Sequence, residues 1–516
     1  MTQDTDLSAP FGTIAGLIRR HAQEAPQRRA LVQDGEVLDY AALDALMDRV
    51  AAALQRDNVQ PGEAVAICAA TSLTYAVIYL GALRAGVVVA PLAPGATPDS
   101  LEGMVRDAGA RLLFTDREVA QALGPRAATV PRILLDDSTG GPGWSQWLAS
   151  EGGRVSDAEV HADWPFNIIY SSGTTGEPKG IVQPHGMRWA HVQRGATYGY
   201  GPDTVTLLST PLYSNTTLVV FFPTLAYGGT VLLMGKFDAA GYLELAARER
   251  VTHTMLVPVQ YQRLMARPDF GQHDLRSFRM KFSTSAPFSA ALKAEVLARW
   301  PGGLVEFYGM TEGGGTCILE AHLHPDKLHT VGQAAPGHDI RLIDEVGQEV
   351  PAGEAGEVVG RSPGMMKGYH GRPEKTREAE WYAPDGQRFI RTGDIGRFDA
   401  EGFLTLFDRR KDMIISGGFN IYPSDLEAIL REHPSVLDVA VVGVPSEQWG
   451  ETPVAYVVLR DGQALRADEL RDWMNLRVGK TQRLADLRFL EELPRSAIGK
   501  VLKRELREQY AATGRK

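Results

Sequence analysis

The sequence predicts an α/β fold. A large N-terminal domain of parallel βαβ sheets carries a small β-rich subdomain, and a small α+β domain follows at the C-terminus. Three observations point there. Helix-like and strand-like segments alternate through the N-terminal half, the pattern of parallel strands joined by crossover helices. From about Ile340 to Phe407, short strand-like runs, Gly and Pro dominate. After the charged run Asp408-Arg409-Arg410-Lys411-Asp412 the texture changes again, to a mixture of helix and strand.

Tyr40 to Leu54 carries Leu43, Leu46, Val50 and Leu54 at helical spacing. Ala64 to Cys68 reads as a strand, Thr74 to Ala85 as a helix, and Val87 to Ala90 as a second strand. Arg111 to Thr115 and Thr230 to Met234 are further short apolar runs, and Asp137 to Gly153, rich in Gly and Ser, reads as a surface connection. Beyond the charged run, Ser424 and Glu427 have capping-box spacing for a helix with Leu426, Ile429 and Leu430 on its apolar face. Val439 to Val444 and Val454 to Leu459 read as strands. A boundary near Lys411 divides residues 1–410 from 411–516, with the β-rich subdomain at about 340–407.

Composition excludes several classes. A chain of 516 residues has room for more than one domain, and 44% hydrophobic with 23% charged residues is ordinary globular usage rather than disorder. A net charge of −9 argues against a general nucleic-acid binder, while a local cationic pocket remains compatible with it. Two cysteines, Cys68 and Cys317, exclude a disulfide framework and suit a reducing compartment. Met1 to Pro10 has no basic segment leading into an apolar core, so no signal peptide is read. Leu73 to Ala93 is broken by Thr74, Arg84 and Gly86, which favours a buried helix and strand over a membrane span. The expectation is a cytoplasmic enzyme with no membrane span and no nucleic-acid partner. Cys317, His322, His324 and His329 have zinc-like residue types, but their spacing fits no structural zinc site.

The chemistry starts after the apolar run Ile168-Ile169-Tyr170. The next ten residues are Ser171, Ser172, Gly173, Thr174, Thr175, Gly176, Glu177, Pro178, Lys179 and Gly180. Glycines let a backbone approach an anion, hydroxyls and N–H groups donate to its oxygens, and a lysine adds charge. That combination suits a polyphosphate better than it suits a flexible surface loop. The Walker pattern is excluded because no Gly-Lys-Ser/Thr follows at its spacing.

This loop resembles the phosphate loop of the adenylate-forming superfamily of acyl-CoA synthetases, firefly-type luciferases and nonribosomal peptide adenylation domains. Further signatures of that superfamily follow in the expected order. They are Tyr308-Gly309-Met310-Thr311-Glu312, Arg391-Thr392-Gly393-Asp394, the hinge run Asp408 to Asp412 with Ser416 to Pro423, and Pro494 to Lys500.

The resemblance implies that a carboxylate attacks the α-phosphate of ATP to give an acyl-adenylate, and that a thiol, usually of CoA, then displaces AMP. It assigns Thr174, Thr175 and Lys179 to the β- and γ-phosphates, Thr311 to the α-phosphate and Glu312 to Mg²⁺, a hard cation content with oxygen ligands. Tyr308 would stack on adenine beside Ser285, Ala286 and Pro287. Asp394 would accept from the ribose hydroxyls, and Arg409 would contact the ribose and phosphate side. Lys500 would reach the carboxylate and α-phosphate during adenylation, as a compact, flexible cation can. The C-terminal domain is implied to be mobile about Lys411, with Gly417 and Gly418 lining a pantetheine tunnel. Trp449 resembles an aromatic used against the CoA nucleotide, the alternative being a Trp packed in the small domain. Arg483, with Lys480 close by in sequence, lies where CoA phosphates are held, although the usual aromatic-Lys pair and Pro are missing there.

The resemblance places the acyl pocket at Tyr213, Ser214, Asn215, Thr284, Phe307, Gly309 and Gly314. Ser214 replaces a common histidine, and Asn215 matches an Asn that meets a substrate hydroxyl in aryl-acid-activating members. Thr284 and Phe307 stand where larger-pocket members carry Gly, so the acid is expected to be compact, aromatic or of short to medium chain. Arg194 reads as an exposed helix arginine; if it lay near the pocket it would favour a polar or second anionic group. The leading expectation is an acyl-CoA synthetase using ATP, Mg²⁺ and CoA, as a monomer or homodimer. A stand-alone enzyme loading a carrier protein is the second reading. An inactive nucleotide-binding homologue is the third, and Lys179, Glu312, Asp394, Arg409 and Lys500 argue against it.

Overall fold

The structure, a computed structural model, describes residues 7–127, 129–137, 142–152, 155, 158–171, 178–409, 412–416, 419–463, 465–496 and 499–513. The chain divides into two compact units. The first comprises Met1–Leu328, Ala335–Asp339 and Arg361–Ile390, and the second His329–Ala334, Ile340–Gly360 and Arg391–Lys516.

Two sheets build the first unit. One has the strand order Gly368–Tyr369, Lys179–Pro184, Pro165–Ser171, Val88–Pro91, Ala64–Cys68, Ala110–Thr115 and Arg132–Leu134. It is parallel except for the hairpin of Pro165–Ser171 with Lys179–Pro184 and the short strand Gly368–Tyr369 beside it. In the other, Thr316–Glu320, Gly303–Gly309, Met280–Ser283, His253–Leu256, Val205–Leu208, Thr230–Leu233, Arg29–Gln33 and Glu36–Asp39 lie side by side. Its interior is parallel, and the pairings of Thr316–Glu320 and Glu36–Asp39 are antiparallel. Fully covered parallel strands read as unbroken apolar runs, and Ala64–Cys68 is buried at every position.

The apolar stretch that begins at Leu73 is a 12-residue helix, Leu73–Arg84, buried almost all round. Arg84 is buried there against Asp44 and Asp48, so its charge is paired inside the core. No helix among the described residues is long and apolar enough to cross a membrane. The connection expected over Asp137 to Gly153 contains a short helix, Trp144–Trp147, because Trp147 buries its ring edge-on to Phe114 at 4.9 Å.

A buried cation ties the second sheet to a helix end. Lys281 is fully buried, and its ammonium donates to the carbonyls of Trp300, Pro301 and Gly302 at 3.2, 2.7 and 2.7 Å. All three of its N–H bonds are therefore used. Burial pushes its pKa down to about 7. Lys281→Met is expected to cost about 1–3 kcal/mol, measured by urea unfolding, because it strands those carbonyls. The unfolded lysine titrates near 10.4, so between about pH 7 and 10 the unfolded chain binds more protons. Stability contributed through this group rises with pH across that window, and the rise is expected to vanish in the variant.

In the second unit, the strands Asp339–Ile343, Gly356–Arg361, Arg388–Phe398 and Leu404–Arg409 are neighbours in one sheet. A further sheet is formed by Phe419–Ile421, Ile414–Ser416, Gly450–Leu459 and Val436–Ser446, with Asp486–Phe489 parallel to Gly450–Leu459. Alternation along its long strands sends Val439, Val441, Ala455 and Val457 to the helices Pro423–Arg431 and Ala467–Asn475. Ala440, Val442, Val444 and Tyr456 go to Leu506 of the helix Lys503–Thr513. The capping box expected at Ser424 is not formed. Pro423 takes the first helical position, which makes Tyr422 the N-cap and puts Ser424 inside the helix. Glu427 instead accepts from the backbone N–H of Val441 at 2.9 Å and pairs with Lys503 at 3.1 Å. Arg410, Lys411, Gly417 and Gly418 lie outside the described residues.

Candidate active site

The expected phosphate loop spans the turn of the hairpin Pro165–Ser171 and Lys179–Pro184, in which Ser171 and Lys179 face each other. Ser172, Gly173, Thr174, Thr175 and Gly176 lie outside the described residues. Lys179 is half-buried, with its ammonium 5.2 Å from the centre of the Tyr369 ring. Tyr369 is paired to the same hairpin opposite Ile181. Its hydroxyl donates to Glu312 Oε1 at 2.9 Å. Burial, reinforced by the Glu312 carboxylate, raises the phenol pKa well above its ordinary value, so it stays a donor. Lys179, expected at the phosphates, and Glu312, expected at the metal, are thus joined through one ring. Reading the sequence alone missed Tyr369, whose only signal is a lone aromatic in a polar, Gly-flanked stretch.

The loop bearing Thr311 and Glu312 is held tightly. Gly313 has φ +73°, and a Cβ there would lie 2.3 Å from the Gly364 carbonyl oxygen. The Glu312 carbonyl accepts from Met366 N at 2.8 Å. The Thr311 carbonyl accepts from Gln183 Nε2 at 2.7 Å, and the same nitrogen lies 3.4 Å from Asn215 Oδ1. Gln183 in turn accepts from Arg188. Arg188 is fully buried between the rings of Phe166 and Phe222, at 5.7 and 5.9 Å, and desolvation lowers its pKa to about 10. A buried chain from Arg188 through Gln183 therefore fixes Thr311 and reaches Asn215. Both residues were also missed, because they stand among other polar residues of the hairpin and helix and nothing local marks them.

Ser285, in the expected adenine segment with Ala286 and Pro287, has φ +80°, a left-handed conformation that costs a non-glycine residue about 1–3 kcal/mol. Its hydroxyl lies 2.6 Å from that of Thr216, which holds it there. Such a residue belongs where the backbone must present itself in one fixed way. Tyr308 is half-buried and pairs with Cys317 across the strands Gly303–Gly309 and Thr316–Glu320. Cys317 itself is buried, its thiol pushed up to about 12.

Around the expected acyl pocket, Phe307 and Gly309 share one face of their strand, two residues apart. Gly309 faces Thr316, and a Cβ on it would meet the Gly315 carbonyl and Thr316 Oγ1 at 3.3 Å. Thr284 and Tyr213 are half-buried, and Gly314 is buried. Ser214 is buried as the N-cap of the helix Asn215–Ala226, accepting from Thr216 N at 3.3 Å, so its oxygen serves the helix end. Arg194 is not the exposed helix arginine expected. It is half-buried at the end of the helix His185–Arg194, with its guanidinium 4.9 Å above the Phe307 ring. The helix packs that end inward because Tyr198, just beyond it, buries its ring edge-on to both Phe282 and Phe307.

In the second unit, Asp394 lies opposite Arg409 in an antiparallel pairing. Gly393 turns with φ +73°, and Thr392 Oγ1 accepts from Asp394 N at 3.0 Å while donating to the Val358 carbonyl at 2.8 Å. The Arg391 guanidinium is paired with Glu357. Lys500 closes a tight turn in which Ser496 N donates to the Lys500 carbonyl, and Gly499 N to that of Ser496, both at 2.8 Å. Arg495 braces it, donating to the Gly499 carbonyl and pairing with Asp438. Trp449 is exposed rather than packed, and Arg483 is exposed just after the short helix Lys480–Gln482.

Comparison with known proteins identifies the family. The model of the AMP-binding enzyme family matches residues 18–370, and that of the AMP-binding enzyme C-terminal domain matches 425–500. A feruloyl-CoA synthase from Amycolatopsis sp is 35% identical over 95% of this chain and 98% of its own. An indoleacetate–CoA ligase from Aromatoleum aromaticum is 34% identical over 96% and 97%. ATP-bound MatB from Rhodopseudomonas palustris superposes with a TM-score of 0.87 at 31% identity, covering 96% of this chain and 99% of that one. The chain belongs to the AMP-binding enzyme family, the adenylate-forming superfamily, and within it to the acyl- and aryl-CoA ligases.

Proposed function

We propose that this chain activates a compact carboxylic acid, aromatic or of short to medium chain, as its acyl-adenylate and passes the acyl group to CoA with release of AMP and pyrophosphate. The observation that carries the compact acid is Phe307. It stacks on Phe282 at 5.7 Å with 27° between the rings, stands edge-on to Tyr198, and carries Arg194 on its face. A wall so filled leaves little depth for a long chain. The names of the relatives, a feruloyl-CoA synthase and an indoleacetate–CoA ligase, support an aromatic acid.

The residues divide the work as follows. Lys179, with Thr174 and Thr175, neutralises the β- and γ-phosphates, so that an anionic carboxylate can approach an anionic phosphate. Thr311, fixed by Gln183, positions the α-phosphate. Glu312 offers the carboxylate oxygens a hard cation wants, which fits Mg²⁺; the ion, when bound, supplies further charge neutralisation to the phosphates. Tyr308 and the Ser285–Ala286–Pro287 backbone hold adenine, while Asp394 and Arg409 hold the ribose. Lys500 stabilises charge on the reacting carboxylate and α-phosphate. Rotation about Lys411 then exchanges Lys500 for the CoA-binding face, where Gly417 and Gly418 leave room for pantetheine and Trp449 and Arg483 meet the nucleotide end.

A panel of aromatic, short-chain and medium-chain acids with ATP, Mg²⁺ and CoA, read by AMP release and acyl-CoA mass, tests this. Benzoate- to cinnamate-sized acids are expected to give acyl-CoA. Acid-dependent pyrophosphate exchange without acyl-CoA would establish a carrier protein as the acceptor instead.

A further inference from the structure

The group on Phe307 is a cation. Among the described residues no carboxylate pairs with Arg194; the groups acting on its charge are the phenols of Tyr198 and Tyr200. Glu320, the nearby acid, acts on Tyr198. A cation over an aromatic face recovers only part of what the partial removal of a guanidinium from water costs. The stack with Phe307 alone does not balance that cost.

One neighbour, His338, adds a fixed donor. His338 Nδ1 accepts the backbone N–H of Thr316 at 2.9 Å, which puts the proton of the neutral ring on Nε2. Desolvation, and then the Arg194 charge, hold that ring below its ordinary pKa, so it is neutral near pH 7. His191 stands close enough to feel both Arg194 and His338, and its Nδ1 is buried without a partner. Thr316, which orients His338, is the residue facing Gly309 in the expected pocket wall. Arg194 can only donate, His338 is fixed as a donor, and both border the wall formed by Phe307 and Gly309.

We propose that Arg194, with His338 Nε2–H, recognises an acceptor oxygen at the far end of the carboxylic acid, a second carboxylate or a phenolic hydroxyl. This rests on the acid-activating function proposed above and names the substituent that the acid carries. The site selects acids that end in such an oxygen over those that end in C–H, since a donor site left without its acceptor loses its hydrogen bonds.

Acid-dependent ATP–pyrophosphate exchange tests it independently of the thiol acceptor. The probes are benzoate and cinnamate, each with its 4-hydroxy and 4-carboxy derivatives. The native enzyme is expected to favour an oxygen-bearing acid over its parent at least tenfold in kcat/KM. In Arg194→Met that ratio should fall at least tenfold, and Arg194→Lys should keep part of it for the carboxylates. Because the ratio is taken within each variant, partial loss of folded enzyme cancels. Preference for the 4-carboxy acid identifies an anion as the group read, and preference for the 4-hydroxy acid a phenol. Parents used as well as their derivatives, or a ratio unchanged in Arg194→Met, would overturn the proposal. Absence of exchange with every acid is a distinct result, which would remove the acid-activating function itself.

Discussion

Glu312→Gln is expected to slow acyl-adenylate formation about 10²- to 10³-fold, the scale seen when one preorganised electrostatic contact at a reacting centre is removed. The substitution keeps the shape and still lets the Tyr369 hydroxyl donate, across the 2.9 Å it now spans, to a side-chain oxygen. What disappears is the negative charge, and with it the affinity for a hard cation. Tyr369→Phe is the companion. It removes the hydroxyl but keeps the ring beneath the Lys179 ammonium, so Glu312 loses its orientation while Lys179 keeps its neighbour. As a positioning residue, Tyr369 is expected to contribute about 10- to 100-fold, the range for groups that orient a metal ligand. Both variants should need more Mg²⁺ for half-maximal pyrophosphate exchange, Glu312→Gln by more. An unchanged Mg²⁺ dependence in both would detach this cluster from the metal.

Local chemistry was legible in the chain, and tertiary partnership was not. The strand Ala64–Cys68 and the helix Tyr40–Arg56 are readable because burial imposes its period on the sequence. The helix starts at Tyr40 as read, where Asp39 accepts from Ala42 N at 2.8 Å, and runs two residues past Leu54 to Arg56. Ser424 shows the limit of a spacing rule. Its distance from Glu427 is right, but Pro423 claims the first helical position and moves the cap back to Tyr422. Lys179, Thr311, Glu312, Asp394 and Lys500 could be proposed from sequence because each sits in a short motif whose chemistry is carried by neighbours in the chain. Tyr369, Gln183 and Arg188 act through contacts between distant segments, and no local pattern encodes them. Arg194 was misread for the same reason: helical position alone says nothing of the Phe307 ring it meets.

Lys500→Ala is expected to reduce adenylation by at least 10²-fold while thiolation of pre-formed acyl-adenylate stays within a few-fold of native. The asymmetry follows from what each half-reaction needs. Joining a carboxylate to a phosphate develops charge between two anions, and a mobile ammonium acts on that charge in the transition state. In the proposed function, displacement of AMP by a thiol does not call on Lys500. The turn itself should survive the substitution, because its backbone bonds involve the Lys500 carbonyl and N–H and its braces are Ser496 and Arg495. Arg495→Leu makes the complementary cut. It frees the Gly499 carbonyl and leaves Asp438 without its ion pair, so the turn loosens while the ammonium remains. Adenylation should then fall less steeply than in Lys500→Ala, with thiolation again spared. Acetylation of Lys500 removes the charge without shortening the side chain and should reproduce the alanine phenotype in both half-reactions. Equal loss of both halves in Lys500→Ala would assign the lysine to the fold of the domain; unchanged adenylation would remove it from the chemistry.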